Sequence, residues 1–483
     1  MQVLLVIPPS PFLADAKVMA SLGPLWVGAS LRAAGHDVEV LDLEGRRDWR
    51  EEVGRVVAAR RPDVVGVGGT SAHWPFTRQI AGAVKAVDPS ILTVLGGAHA
   101  SMGPQGCVGK GFDVVVMDDG FSGVHKALEE GAREHIEQVP TRAGVLSLKG
   151  VIKGPMTSTE KWPLPARDLV DIKSYKYFLI GDKKRPATLL IATMGCPYGC
   201  RFCGGREVEF YRRYRERPIE HVVAEMEECD VKYGFKDFVF LDDEQNINQK
   251  WLSRFCGALA DRGSPWGWRA FVKSNIFNDE QAAMMAKAGC IEVCTGVESG
   301  SDRILSRWVV KQTSYEINRR CVEVAHRHGL RIKAFCMVGS PGESRADVLK
   351  TRDWILDARP DAFDLTVFAP YPGSPIFNRL FPGEGRAELP TKDMEDMPIE
   401  APLPDFDRES WAYKTLPGEY RTGVRTLGFG PGDNGLEPEE LIKLRDQIDE
   451  ECRAALGQAG VTRTSPLFDA QQAYESGQGA KVA

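Results

Sequence analysis

Cys196, Cys200 and Cys203 stand in the run Cys-Pro-Tyr-Gly-Cys-Arg-Phe-Cys, directly after an apolar stretch, Thr188 to Thr193, that reads as a strand. Three thiolates on one loop at the end of a strand suit three irons of a [4Fe–4S] cubane. The next cysteine, Cys229, falls in a stretch with helical periodicity, so a fourth thiolate is not at hand and one iron is left open to a small molecule. A zinc site is the first competing reading, but structural zinc takes four ligands, commonly in CxxC pairs. Three unrelated buried cysteines are the second. The spacing, the strand before it and Gly204-Gly205 after it favour the cluster.

The remaining composition narrows the setting. The chain has 483 residues, with 43% hydrophobic and 27% charged side chains, the balance of a globular protein with more than one core. Its formal net charge of −6 offers no basic footprint for nucleic acid and no polybasic attraction to a membrane. Met1 to Ile7 lacks a basic flank and breaks at Pro8-Pro9, so neither a signal peptide nor a membrane span is expected, and the expected location is cytoplasmic. Eleven cysteines in a reducing compartment are not a disulfide framework; outside the triplet they read as small buried fillers, Cys294 included.

Two α/β halves must position the cysteines. Short β-branched runs (Val3 to Ile7, Val38 to Leu43, Val64 to Gly68, Leu92 to Leu95, Asp113 to Met117) alternate with helix-length segments over residues 1–135. Strands that are apolar on both faces predict a parallel, doubly wound, Rossmann-like sheet, with ligands at the carboxyl ends of its strands. Residues 136–184, with scattered prolines, read as a linker. Over 185–378 a second alternation predicts strands Thr188 to Thr193, Asp237 to Leu241, Gly267 to Val272, Ile291 to Val297, Arg331 to Val338 and Ala362 to Phe368, an open partial barrel. Residues 379–483 form an extension: an acidic, irregular stretch that reads equally as a substrate-covering lid or a solvated connection, then an amphipathic helix from Pro438 to Leu456.

CxxxCxxC is the signature of the radical S-adenosylmethionine (SAM) superfamily, and the resemblance extends across residues 185 to 378. Phe202 precedes the third cysteine, Asp242-Asp243-Glu244 closes the second barrel strand, and Gly296-Val-Glu298-Ser299-Gly300 closes the fourth. Val338-Gly339-Ser-Pro341-Gly-Glu343 closes the fifth and Pro370 to Pro375 the sixth. The resemblance implies that Cys196, Cys200 and Cys203 hold the cluster. It also implies that Phe202, Gly204, Gly205, Asp242, Asp243, Glu298, Ser299 and Pro341 surround SAM. Lys311 resembles a family lysine, although its own reading is an exposed structural one. The basic run Arg206, Arg212, Arg213, Arg215 and Arg217 reads mainly as solvated charges.

The α/β domain placed before this barrel resembles the cobalamin-dependent radical SAM enzymes. Pro8-Pro9-Ser10, Gly23-Pro24-Leu25, Gly69-Thr70-Ser71, Gly96-Gly97-Ala98-His99 and Leu164-Pro165-Ala166-Arg167-Asp168 carry that resemblance. It implies a cobalamin site at Pro8, Ser10, Thr70, Ser71, Gly96, Gly97 and His99. Small residues there let a nucleotide tail lie against the backbone. Trp26 and Trp74 are candidates for the corrin face, with core packing the stronger reading for Trp26. Two features depart from relatives. Asp-x-His-x-x-Gly, the source of a lower axial imidazole elsewhere, is missing, and Met117-Asp118-Asp119-Gly120 replaces the usual Gly-Glu-Gly-Glu.

The family likeness therefore implies a class B methyltransferase using a [4Fe–4S] cluster, SAM and cobalamin. It would move a methyl group by way of methylcobalamin to an unactivated carbon, or phosphorus, of a small molecule or peptide in secondary metabolism. An external electron donor such as flavodoxin or ferredoxin is the implied partner. The alternatives are a non-methylating rearrangement, cyclisation or dehydration on the same architecture, and a non-catalytic cobalamin or iron–sulfur carrier or sensor.

Overall fold

The structure, a computed structural model, describes residues 1–10, 17–141, 144–180, 185–340, 342–380, 436 and 438–460. In the first half, β1 (Gln2–Ile7), α1 (Leu22–Ala33), β2 (Asp37–Asp42), α2 (Trp49–Arg60) and β3 (Val64–Gly68) come first. They are followed by α3 (Trp74–Val87), β4 (Leu92–Gly96), α4 (Ala98–Met102), β5 (Val114–Asp118) and α5 (Gly120–Ala127). The sheet order is β2-β1-β3-β4-β5, every pair parallel, and a sixth strand from the segment that follows is added at its edge beside β5. Apolar residues cover both faces. Leu4, Val6, Val65 and Leu95 pack with Trp49, Phe76 and Ile80 on one side. Val3, Leu5, Val94 and Val116 pack with Leu31 and Val124 on the other. Burial on both faces is what a parallel crossover sheet requires.

Residues 136–184 hold more structure than a linker. The hairpin β6 (Ile136–Thr141) and β7 (Gly144–Lys149) is antiparallel, and β8 (Val151–Gly154) runs parallel to β5. Val151 and Ile152 have no exposed surface. A four-residue strand acquires its identity from its neighbour, because it is too short to show a period of its own.

The second half continues with β9 (Ala187–Leu190), β10 (Thr193–Met194), α6 (Glu209–Arg212), β11 (Arg215–Glu216), α7 (Ile219–Glu228), β12 (Asp237–Phe240) and α8 (Gln249–Asp261). Next come β13 (Gly267–Phe271), α9 (Asp279–Lys287), β14 (Cys290–Glu298), α10 (Asp302–Ile304), α11 (Tyr315–Arg327) and β15 (Arg331–Val338). α12 (Arg345–Ala358), β16 (Ala362–Val367), α13 (Pro375–Leu380) and α14 (Pro438–Leu456) complete it. Its main sheet has the order β16-β15-β14-β13-β12-β9, all parallel, the open half-barrel that six strand–helix units predict. The strand–helix interface buries a large core that includes Phe240, Phe255, Trp268, Val293 and Trp354. The acidic stretch expected as a lid or connection lies outside the described residues.

The two halves share a further cluster in which Leu22, Leu25 and Trp26 of α1 meet Trp162, Leu189 and Val239. Beside it, Glu225 on α7 accepts from Arg167 at 2.6 Å and forms an ion pair with Arg217 at 2.6 Å, all three side chains being buried. Arg217, expected as a solvated charge, is thus an internal strut. A guanidinium with no access to water must have a carboxylate partner.

Candidate functional site

The cysteine loop leaves β10 through Gly195, whose backbone N–H donates to the Asp243 carboxylate at 2.7 Å. Cys196 N–H donates to the Tyr211 carbonyl at 2.9 Å, and Cys203 N–H to the Cys200 carbonyl at 3.2 Å. These bonds fold 196–203 into a tight turn over the C-terminal ends of β9 and β12. Of the eleven free cysteines, Cys203 is exposed and Cys196 partly so; the others are buried, Cys200 among them. Cys203 lies in a recess, open to solvent yet packed round by protein, and burial pushes its thiol up to about 12. Burial does the same to Cys196. These thiols are protonated until a metal takes the proton's place. Among the described residues, no three His, Cys, Asp or Glu side chains converge as around a single ion. A cubane, by contrast, gives each thiolate its own iron and spaces the sulfurs more widely.

Behind Cys200 lies a buried ionic group. The Lys311 ammonium donates to Glu298 at 2.8 Å and to the Gly296 carbonyl at 2.8 Å, with Glu244 at 3.9 Å. Lys273 donates to the Lys311 carbonyl at 2.7 Å and lies 4.1 Å from the centre of the Tyr198 ring. Burial opposes the Lys311 charge, but Glu298 and Glu244 outweigh it and hold its pKa above the ordinary lysine range. Burial raises Glu244 to about 7 against the pull of Lys311 and Lys273. Glu298 adopts φ 66°, a left-handed conformation unusual for a side-chain-bearing residue and of the kind that collects at functional sites. Lys311, expected to be exposed, is 6% exposed. Lys273 and Tyr198 were not anticipated: a single lysine after a strand has no sequence mark that separates burial from exposure.

The other positions expected around SAM divide. Asp242 is fully engaged by Ala192 N–H at 2.7 Å and the Thr193 hydroxyl at 3.0 Å, and burial raises it to about 7. It ties β12 to β9. Ser299 lies against Thr351 and accepts from Ser301 N–H, so it anchors the β14 turn to α12. Gly204 packs against Met102 and the Pro372 carbonyl, and Gly205 against Tyr211. Phe202 is half-buried in the loop. Pro341 lies outside the described residues.

A cavity of about 440 Å³ opens at the carboxyl ends of β1, β3, β4 and β5. Pro8, Thr70, Gly96 and Gly97, four of the expected positions, line it, together with Trp26, His73, Asp118, Asp119, Phe121 and Trp162. Trp26, not Trp74, forms part of the wall; Trp74 instead stacks on His99 at 4.7 Å between ring centres. His99 donates or accepts at the Ser71 hydroxyl, 3.0 Å away, and burial lowers its pKa to about 4. Ser10, Ser71 and His99 thus support the wall from behind. Gly97, at φ 91°, abuts the Gly69 backbone, where a Cβ would collide. A Cβ at Gly96 would meet nothing within 4 Å, so this position is a cradle that a side chain would fill.

His73 is the imidazole in the wall, and its nitrogens have protein partners: Thr70 N–H donates to Nδ1 at 3.2 Å, and Nε2 meets the Ser10 hydroxyl at 2.9 Å. Ser10 is held in turn by the buried Glu44. Asp119, in the segment that departs from relatives, accepts from Phe121, Ser122 and Thr157 N–H groups and caps α5. On the far side the cavity is closed by Ile191, Met194, Phe210 and Tyr211 of the barrel half.

Comparison with known proteins agrees with this geometry. The family model described as Radical SAM superfamily matches residues 190–355, and the one described as B12 binding domain matches residues 15–126. The chain belongs to the cobalamin-dependent radical SAM family. It is 27% identical over 398 residues to an uncharacterized methyltransferase of Pyrococcus horikoshii, covering 78% of this chain and 82% of that one. It is 28% identical over 396 residues to the anaerobic magnesium-protoporphyrin IX monomethyl ester cyclase of Rubrivivax gelatinosus, covering 78% and 69%. The fold matches the radical SAM methyltransferase TsrM from Kitasatospora setae, solved with cobalamin and a [4Fe–4S] cluster, with a TM-score of 0.60 at 19% identity over 94% of this chain and 88% of that one. The protein is a radical SAM enzyme whose cofactors are a [4Fe–4S] cluster, SAM and cobalamin. Among the described residues, no helix is long and apolar enough to cross a membrane.

Proposed function

We propose that this enzyme is a methyltransferase acting on an unactivated carbon, or phosphorus, of a small molecule or peptide. One observation carries the reading: the two cofactor sites share a wall. Tyr211 lines the cobalamin-side cavity and its carbonyl accepts the Cys196 N–H at 2.9 Å, so the cysteine loop is the back of the cavity. When bound, the cluster supplies the electron that cleaves SAM to a 5′-deoxyadenosyl radical, and cobalamin carries the methyl group.

The residues present fit both groups. Three thiols on one loop suit the cluster, while apolar walls and the Gly96 cradle suit a corrinoid. Cys196, Cys200 and Cys203 would hold the cluster. Asp243 fixes the start of their loop, and the Lys311, Lys273, Glu244 and Glu298 group would meet the charged amino-acid end of SAM. Pro8, Thr70, Gly96, Gly97 and Trp26 would face cobalamin. The existing partners of His73 favour cobalt bound without a protein imidazole. The apolar side chains Met194, Phe210 and Trp162 keep water away from a radical.

Anoxic protein supplied with SAM, a reductant and a substrate should release S-adenosylhomocysteine and 5′-deoxyadenosine together. Release of the second without the first during product formation would refute methyl transfer. That outcome would favour the second reading, a non-methylating cyclisation or rearrangement, which the cyclase relative supports. The proposed substrate is a secondary metabolite, and the compound class that takes up labelled methyl from SAM tests it.

A further inference from the structure

We propose that a second, polar cavity beside the cysteine loop binds a small phosphate ester, at a site separate from both cofactor sites. This cavity, of about 550 Å³, lies among the first turns of α8, α9 and α11. Gln249 and Asn278 stand at the starts of α8 and α9, Ile317 and Arg320 come from α11, and Tyr198 closes it on the side of the cysteine loop. It shares no lining residue with the cobalamin-side cavity, which meets the loop's surroundings at Tyr211 instead.

The surroundings favour an anion. A helix presents its positive dipole end at its N-terminus, and here helices of 13, 9 and 13 residues converge. Their caps are neutral: Asn248, Asn278 and Ser314 accept from backbone N–H groups of α8, α9 and α11. The acids of these turns lie off the lining. Asp279 pairs with Arg327 and His328, Glu316 pairs with Arg319, Asp302 accepts from Tyr315 N–H, and Glu280 is exposed. Among the described residues no carboxylate lines the cavity, and Arg320 is its one charged group. Arg320 is exposed and makes no hydrogen bond or ion pair with the described residues.

A buried amide points independently to a ligand. Asn246 is 1% exposed and its orientation is fixed, because Oδ1 accepts the Lys273 N–H at 2.8 Å. Its Nδ2 therefore faces Gln281, whose Oε1 accepts at 3.2 Å. Turning the Gln281 amide over would set two donors against each other, so Nε2 stays on the other side. Gln281 is 3% exposed and lines the cavity, yet Nε2 donates to none of the described residues. A buried donor without an acceptor is costly, and a ligand oxygen completes it. A bare oxyanion would leave most of the space empty, while Ile247, Ile276, Phe277 and Ile317 offer an apolar wall. A phosphate ester meets both demands, its phosphate at Arg320 and Gln281 and its organic body on that wall.

The test is isothermal titration calorimetry on anoxically reconstituted holoenzyme, with and without saturating SAM, using uridine 5′-monophosphate, uridine and inorganic phosphate as probes. The nucleotide should bind equally well in both conditions, with uridine and phosphate each about tenfold weaker or more. Arg320→Gln should weaken nucleotide binding about tenfold and leave the melting temperature unchanged, since the side chain is exposed. Arg262→Gln, at the far end of α8, should not alter it. Gln281→Glu keeps the acceptor for Asn246 and replaces the donor by a negative charge, so binding should be lost; should this variant not fold, Arg320→Gln decides alone. Equal affinities for nucleotide and uridine, unchanged affinity in Arg320→Gln, or no heat from either anion at millimolar concentration would overturn the site. Phosphate binding as tightly as the nucleotide would overturn the ester and leave the free anion as ligand. Displacement of the nucleotide by SAM would overturn the separateness of the cavity. None of these readouts requires turnover, so they stand or fall independently of methyl transfer.

Discussion

His99 illustrates how the cofactor cavity is held in shape by groups that do not face it. Its ring stacks on Trp74 and its Nδ1 meets Ser71, and burial lowers its pKa from 6.5 to about 4. The folded protein therefore keeps it neutral, while the unfolded chain begins to protonate it below pH 6.5. Between pH 6.5 and pH 4 the unfolded state binds the extra proton, so stability falls as the pH is lowered through that window. His99→Gln removes this linkage. The variant should be less stable than the wild type at pH 7, and that gap should shrink by roughly 1–2 kcal/mol at pH 5. Urea unfolding at the two pH values measures it, and an unchanged gap would contradict the assignment. At this scale the cysteines were legible, because ligand spacing is a local property. The burial of Lys311 and Lys273 was not, because Lys311 meets Glu298 thirteen residues back along the chain and Glu244 from beyond β12, and Lys273 meets the Lys311 carbonyl. The role of Asp242 as a tie between strands was hidden for the same reason.

Elements were legible where a strand or helix is long enough to show its period. The eleven principal strands of the two main sheets and α14 follow their apolar patterns; β8 does not, because four residues beside β5 have no period to read. The contact that α14 makes was also beyond the pattern. Its arginines satisfy the free edge of the barrel: Arg453 donates to the Phe363 carbonyl at 3.0 Å and stacks on the Phe363 ring, and Arg445 donates to the Leu365 carbonyl at 3.4 Å. An uncovered edge strand is a template for unwanted pairing. Arg453→Ala removes this cap and leaves Asp449, 2.8 Å from the guanidinium, without its buried partner. It should cost about 2–4 kcal/mol in chemical unfolding and increase aggregation near the midpoint. Arg453→Lys, which keeps the charge but not the fork, should fall between variant and wild type. A midpoint unmoved by Arg453→Ala would show that the edge does not need α14.

The whole molecule depends on a joint that neither half reveals alone. The order of the two α/β halves can be read from their glycine turns and cysteines, whereas the joint consists of backbone approaches between distant segments. At Gly373, φ is 81° and a Cβ would overlap the Gly204 carbonyl and crowd Met102, so the loop after β16, the cysteine loop and the end of α4 meet without room for a methyl group. Met102 belongs to the first half and Gly204 to the second, so this point fixes the cysteine loop relative to the cavity. Gly263→Ala provides the control, since Gly263 has φ 57° and nothing within 4 Å of a Cβ; it carries only the backbone penalty of about 1–2 kcal/mol. Gly373→Ala carries that penalty and must also part the two halves. In differential scanning calorimetry Gly263→Ala should shift the melting transition without changing its shape. Gly373→Ala should broaden or split it, as the first half ceases to melt with the barrel, and should lower the iron retained after reconstitution. Equal, unsplit shifts for both variants would mean that the halves are coupled through the Trp26–Trp162 cluster and the Arg167–Glu225–Arg217 strut instead, and that the cysteine loop is positioned by the barrel alone.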